Sequence, residues 1–167
     1  VRKLKEGGFI VTVVMTKEAE ELISPIVFQS LSGRRVYRGG IFDEPDTGKL
    51  ENHGLASGCQ SHKLENYGSA SDSRSQEIEH IALAEEADLI LVAPATANFI
   101  AKLAGGICDD LLTCTICASK TKVLIAPAMN ENMYQNKITQ SNIAKLKSCG
   151  YKFIAPQKGL LACGKVG

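Results

Sequence analysis

Three short apolar segments rich in β-branched residues constrain the fold of this chain most strongly. They span residues 9–15 (FIVTVVM), 88–93 (DLILVA) and 122–128 (KVLIAPA), and a weaker fourth segment, YKFIAP, spans residues 151–156. Their apolar residues follow one another without alternation, which is typical of strands buried on both faces of a parallel sheet. We therefore predict a parallel sheet with covered faces.

Helical patterns separate these segments. A Ser–Pro pair at residues 24–25 is a suitable N-cap and first-turn pair for a helix. Further helices are predicted over residues 78–87, 98–104, 110–118 and 139–149. Strands that alternate with helices of this length predict a three-layer α/β domain.

Length and composition limit the classes of protein to consider. The chain has 167 residues, 44% of them hydrophobic and 22% charged, and a formal net charge of +1, as in a soluble globular domain. It lacks the strongly basic charge of a nucleic-acid-binding protein. It also lacks the run of about 20 apolar residues that spans a bilayer. We predict one domain over residues 1–167 that binds neither nucleic acid nor membrane.

Two parts of the chain depart from the α/β pattern. Residues 39–76 are rich in Gly, Ser, Asn and Asp and show no periodicity, which indicates either a functional lid or a flexible insertion. The first residues, VRKLKEGG, are typical of a helix end closed by glycine. A first strand and a phosphate-binding turn are therefore expected before residue 1.

The cysteines favour a reducing compartment. Cys114 and Cys117 form a CxxC inside an apolar helical run, and no second CxxC lies nearby. We interpret them as buried helical cysteines rather than zinc ligands or a redox pair, and we predict no metal site. With no signal peptide, the thiols favour the cytoplasm.

Small and polar residues follow the predicted strands, where ligands of parallel α/β sheets bind. Residues 93–98 (APATAN) let the backbone approach a flat ligand closely, and Thr96 and Asn98 can cap the next helix. These residues alone are equally consistent with a plain strand-to-helix connection. Asn130 follows the next strand as either an N-cap or a ligand for a carboxylate or amide. Cys163 lies in a glycine-containing loop that would leave a thiol reactive. The pattern around His80 alone favours a structural histidine.

Three segments, in order, resemble the signatures of a known family. APATANFIAKLAGGICDDLLT, PAMNENMY and LACG are similar to those of the homo-oligomeric flavin-containing cysteine decarboxylases, especially the branch that acts on phosphopantothenoylcysteine. The resemblance covers residues 9–167 and is densest after residue 78. It implies one Rossmann-like (flavodoxin-like) flavoprotein domain that assembles as trimers, or as a dodecamer of trimers, with FMN between subunits. The implied reaction is FMN-dependent decarboxylation of 4'-phosphopantothenoylcysteine to 4'-phosphopantetheine in coenzyme A biosynthesis.

The resemblance also assigns roles to residues. His80 in HIAL would act as a catalytic base, Asn130 in PAMN would bind the substrate carboxylate, and Cys163 in LACG would supply a proton. Contacts with FMN would fall on Thr16, Phe28, Ala95, Thr96, Asn98 and Met129. Contacts with the substrate would fall on Asn130, Met133 and Lys102.

Two departures from the family pattern keep alternatives open. Glu85 and Glu86 stand where the family usually has a basic residue associated with the substrate phosphate, and Asp109–Asp110 replaces the usual Asp–Asn. The alternatives are a non-catalytic regulatory relative, a peptidyl-cysteine decarboxylase and a generic nucleotide-binding domain. Cys163 favours the full reaction, because relatives that stop at the enethiol do not need that acid.

Overall fold

The computed structural model describes residues 1–39 and 79–155, which contain eight helices and five strands. The strands are β1 (Val13–Met15), β2 (Val36–Arg38), β3 (Leu89–Ala95), β4 (Lys122–Pro127) and β5 (Lys152–Phe153). The helices are α1 (Arg2–Glu6), α2 (Lys17–Leu22), α3 (Pro25–Ser32), α4 (Glu79–Glu86), α5 (Ala97–Gly105), α6 (Leu111–Ala118), α7 (Glu131–Gln135) and α8 (Lys137–Ser148). Cys163 and the predicted lid or insertion, apart from Gly39, lie outside the described residues.

Every strand pair in the described residues is parallel. β1 pairs with β2, with Val13 beside Val36, and a second sheet has the order β3-β4-β5, with Leu89 beside Lys122. The predicted α/β fold with parallel strands is confirmed, and the described strands fall into two sheets rather than one. Four predicted apolar segments contain strands, whereas β2 and the short helices α2 and α7 were not predicted.

Residues of β3, β4, α5, α6 and α8 form one hydrophobic core. Ile100 on α5 and Ile125 on β4 are fully buried, as is Ala95 at the end of β3, and Ile116 on α6 is 2% exposed. Burying one such isoleucine contributes about 1.5–3 kcal/mol. The core therefore holds the ends of β3 and β4, and the loops that follow them, in a fixed position.

The larger helices begin and end with recognisable caps. Asp110 is the N-cap of α6 and forms a capping box with Thr113, while α5 ends at Gly106, whose φ of 70° is left-handed. The Ser–Pro prediction places the start of α3 correctly, although the Ser24 side chain makes no capping hydrogen bond. Among the described helices, none is long and apolar enough to cross a membrane.

Candidate functional site

The carboxyl ends of β1, β3 and β4 lead into helices with polar N-caps. Thr16 Oγ1 and Thr96 Oγ1 each accept a hydrogen bond from the backbone N–H three residues later, at 3.3 Å and 3.2 Å. Asn130 Oδ1 accepts one from the N–H two residues later at 2.9 Å. Because ligands of parallel sheets bind beyond these strand ends, three of the predicted site residues occupy positions suited to ligand binding.

Alanines and prolines occupy the ends of β3 and β4. Ala95 is fully buried, whereas Ala93 and Ala128 are exposed, and the Ala128 N–H donates to the Ala95 carbonyl at 3.0 Å. The hydrogen bond ties the two strand ends together, and the small side chains leave the backbone accessible. A flat aromatic ring can therefore lie close to this surface.

A cleft of about 350 Å³ lies between the first turns of α5 and α8, beside α7. Two predicted site residues, Asn98 and Met133, both line it, so the fold brings together residues that are distant in sequence. The full lining consists of Ala97, Asn98, Ala101, Met133, Asn136, Ile138, Thr139 and Asn142. This volume lies at the lower end of the range for small-molecule sites.

Asn130 is placed to donate hydrogen bonds. Its Oδ1 is the acceptor in the α7 cap, and in residues 1–39 and 79–155 its side-chain N–H groups have no acceptor. Met133 follows one turn later and is 48% exposed, whereas Met129 is half-buried against the core. An exposed amide with unpaired N–H groups can donate to a carboxylate.

His80 is the second residue of α4 and is half-buried. The last turn of α4 is tied to the residues just before β4, because Ser119 Oγ donates to the Ala84 carbonyl at 3.5 Å and Thr121 Oγ1 to the Ala87 carbonyl at 2.7 Å. The end of α4 therefore lies at the amino edge of the sheet. Its first turn, about 10 Å away along the helix axis, is directed toward the carboxyl edge.

Lys102 is held by two carboxylates. Its Nζ lies 2.9 Å from Asp109 Oδ1 and 3.5 Å from Asp110 Oδ2. The hydrogen bond to Asp109 raises the pKa of Lys102, and the same bond lowers the pKa of the Asp109 carboxyl. The predicted substrate contact of Lys102 stays a prediction, and an anionic substrate would have to compete with these two partners.

Two of the three acidic residues of α4 also have partners. Glu86 Oε1 lies 2.9 Å from Arg34, and Glu79 Oε1 lies 3.2 Å from Arg35. Glu85, where the family usually has a basic residue, is exposed. The negative charge of Glu86 is therefore balanced by Arg34, which lies just before β2.

One predicted site residue lies away from the larger sheet, and two residues of the cleft were not predicted. Phe28 lies on α3, which packs against β1 and β2 of the smaller sheet, and its contact with FMN stays a prediction. Thr139 and Asn142 line the cleft although neither was predicted as a site residue. The sequence did contain a signal for this pair. Thr139 and Asn142 are three residues apart in a predicted helix, and this spacing places both polar side chains on one helix face.

Comparisons with known proteins agree on one family. The Flavoprotein family model matches residues 1–167. The coenzyme A biosynthesis bifunctional protein CoaBC of Bacillus subtilis is 43% identical over 165 residues, covering 99% of this chain and 34% of that protein. A probable phosphopantothenoylcysteine decarboxylase of Streptococcus mutans is 41% identical over 167 residues, covering 99% of this chain and 77% of that protein. The chain thus spans about a third of the length of the bifunctional relatives.

Solved structures show the same fold. A mutant PPC decarboxylase complexed with pantothenoylaminoethenethiol superimposes with a TM-score of 0.70 at 27% identity, covering 99% of this chain and 78% of that one. The peptidyl-cysteine decarboxylase EpiD superimposes with a TM-score of 0.65 at 28% identity, covering 93% of this chain and 75% of that one.

Proposed function

Because this chain belongs to the flavoprotein family, we propose that it binds FMN and decarboxylates 4'-phosphopantothenoylcysteine to 4'-phosphopantetheine in coenzyme A biosynthesis. The observation that carries the proposal is the position of Thr16, Thr96 and Asn130 as N-caps that follow the carboxyl ends of β1, β3 and β4. The relatives named phosphopantothenoylcysteine decarboxylase and CoaBC support the choice of substrate.

The strand ends fit a flat cofactor such as FMN. Ala93, Pro94 and Ala128 are exposed and offer a surface without bulky side chains, and Thr96 is the N-cap of the adjacent helix. The residues proposed to hold FMN are Thr16, Phe28, Ala95, Thr96, Asn98 and Met129. When bound, FMN supplies a hydride acceptor that makes loss of the cysteine carboxylate feasible.

Three side chains of the chain would handle the substrate. Asn130 orients the carboxylate through its side-chain N–H groups, which have no acceptor within the described residues. His80, in the first turn of α4, takes or returns a proton at the edge of the sheet. Cys163, outside the described residues, supplies a proton to the product carbon.

Homo-oligomeric assembly is part of the proposal. Leu22 is 84% exposed, Ile23 46%, Ile26 60% and Val27 45%, so α2 and α3 present a contiguous apolar segment. Such a surface is typical of a protein interface. We expect trimers, or larger assemblies of trimers, in the cytoplasm, where the thiols at Cys108, Cys114, Cys117 and Cys149 stay reduced.

A peptidyl-cysteine decarboxylase is the second candidate, because EpiD shares the fold at 28% identity. The two candidates differ in the product. A protein that completes reduction to the saturated thiol needs an acid such as Cys163, whereas release of an enethiol does not require one.

The test follows the reaction in the full-length protein. Phosphopantothenoylcysteine is supplied to the parent and to Asn130→Ala, Cys163→Ser and the exposed control Ser141→Ala, while CO2 and 4'-phosphopantetheine are measured. We expect saturated product from the parent and control, enethiol from Cys163→Ser, and a loss of about 10²-fold or more in Asn130→Ala. A parent that binds flavin but releases CO2 only from peptides ending in cysteine would favour the second candidate.

A further inference from the structure

The two ends of α4 are attached to the rest of the fold in different ways. The last turn is held by Glu86, whose Oε1 lies 2.9 Å from Arg34 Nη2, and by two hydrogen bonds that side chains just before β4 donate to backbone carbonyls there. Within residues 1–39 and 79–155, the first turn has one polar partner outside the helix, Arg35, whose Nη2 lies 3.2 Å from Glu79 Oε1. The first turn therefore depends on Arg35 more than the last turn depends on Arg34.

Arg35 is itself held in a defined orientation. Its guanidinium carbon lies 5.1 Å from the centre of the Tyr37 ring, two residues later on β2, so the arginine side chain extends along the strand. Stacking on an aromatic ring is favourable for a guanidinium and restricts its movement. Between the two residues, the buried Val36 anchors the strand beside Val13 of β1. Arg35 can therefore hold the first turn of α4 in a fixed place.

His80 lies in the turn that Arg35 holds. It follows Glu79 directly, and its half-buried imidazole makes no hydrogen bond or ion pair within the described parts of the chain. The buried side chain of Leu83 packs one turn later, in the middle of the helix. Because helix ends open with a free energy near zero, an end turn with a single polar partner is readily displaced. The position of the imidazole therefore follows the position of the first turn.

We propose that Arg35 is a positioning residue for His80 and acts through its ion pair with Glu79. The inference rests on the proposed function, in which His80 takes or returns a proton. A base must lie within hydrogen-bond reach of the proton that it transfers. Loss of the ion pair lowers the fraction of molecules that have His80 in place, and it leaves the substrate contacts unchanged.

The test compares decarboxylation of phosphopantothenoylcysteine by the FMN-loaded full-length protein and its variants. Arg35→Gln should lower kcat about two- to fivefold with KM kept, because an exposed ion pair shifts a local equilibrium by about this factor. Arg35→Lys keeps the charge and should restore most of the rate. Arg34→Gln is the matched control, since it removes the ion pair at the other end of α4, and its kcat should equal that of the parent.

Two further measurements separate the ion pair from other effects of Arg35. Once Glu79→Gln has removed the partner, Arg35→Gln should cause no further loss of kcat, because both changes remove the same interaction. Hydrogen exchange reports on the turn without any need for activity. The Leu83 amide donates to the Glu79 carbonyl in an α-helix, so it should exchange faster in Arg35→Gln and at the parent rate in Arg34→Gln.

The outcomes distinguish this inference from the proposed function. Unchanged kcat and unchanged exchange in Arg35→Gln, in a parent that releases CO2, would overturn the positioning role and leave the decarboxylase intact. A rise in KM alone would also overturn it and would assign Arg35 to substrate binding. Faster exchange in Arg35→Gln, in a parent that releases no CO2, would support the role of Arg35 in holding α4 and reject the reaction.

Discussion

Replacing Asp110 tests how the loop after α5 is fixed to α6. Asp110 Oδ1 accepts hydrogen bonds from the Thr113 N–H at 2.8 Å and from Thr113 Oγ1 at 2.9 Å, and Thr113 is fully buried. Asp110→Ala removes an N-cap, which costs about 0.5–2 kcal/mol, and leaves the buried N–H unpaired. The hydroxyl keeps a partner, the Asp110 carbonyl at 3.0 Å, so the total loss should be about 2 kcal/mol.

Asp110→Asn is the matched comparison. The amide oxygen can still accept the Thr113 N–H, and the variant loses only the charge that lies 3.5 Å from Lys102 Nζ. Such a partly exposed ion pair contributes about 0–1 kcal/mol, so Asp110→Asn should lose less than half as much stability as Asp110→Ala.

Urea unfolding followed by far-UV circular dichroism measures both variants. With a slope of about 1–3 kcal/mol/M, the Asp110→Ala midpoint should fall by about 1 M and the Asp110→Asn midpoint by much less. Equal losses in the two variants would refute the capping argument and assign the effect to the charge. An unchanged Asp110→Ala midpoint would show that the capping box does not stabilise the domain.

Three further predictions concern the core and the titrating groups. Ile125→Ala should lower the free energy of unfolding by about 2–5 kcal/mol, because Ile125 is fully buried. Urea unfolding measures the loss, and a value under about 1 kcal/mol would contradict the packing of Ile125 in the core. Cys114 is buried as predicted, whereas Cys117 is exposed, contrary to the prediction. Partial desolvation still raises the pKa of the Cys117 thiol to about 11, so iodoacetamide should label it slowly at pH 8 in the folded protein and faster as the pH rises through that value. Peptide mapping that finds equal labelling in urea and in buffer would contradict this. In Lys102→Met the pKa of Asp109 should rise toward its ordinary value, since Lys102 donates the hydrogen bond that lowers this pKa. NMR titration measures the pKa, and an unchanged value would show that another group lowers the pKa of Asp109.

The sequence predicts the larger sheet well and the smaller one poorly. The apolar runs at residues 88–93 and 122–128 become β3 and β4 because both strands pair along most of their length. The run at residues 9–15 yields only the three residues of β1, with Phe9 60% and Ile10 83% exposed. β1 is short because its partner, β2, offers only three residues for pairing. β2 itself was not predicted because a strand of three residues flanked by polar residues shows no clear apolar pattern in the sequence.

Residue type was enough to predict the caps of the site but not its ion pairs. Thr96 and Asn130 follow apolar strands directly, and short polar side chains at that position commonly begin a helix. The pairing of Lys102 with Asp109 depends on Gly106, whose left-handed conformation reverses the chain after α5. A change of chain direction at a single glycine does not appear in the periodicity of the sequence.

Decarboxylation by the flavin-depleted and reconstituted protein tests the central claim most directly. The full-length protein is stripped of flavin, and CO2 release from phosphopantothenoylcysteine is measured before and after FMN is restored, with Thr96→Val as a variant that removes the N-cap acceptor beside β3. We expect no CO2 without FMN, recovery on reconstitution in the parent, and a higher FMN requirement in Thr96→Val. CO2 release that is independent of FMN, or no release at saturating FMN and substrate, would contradict the account.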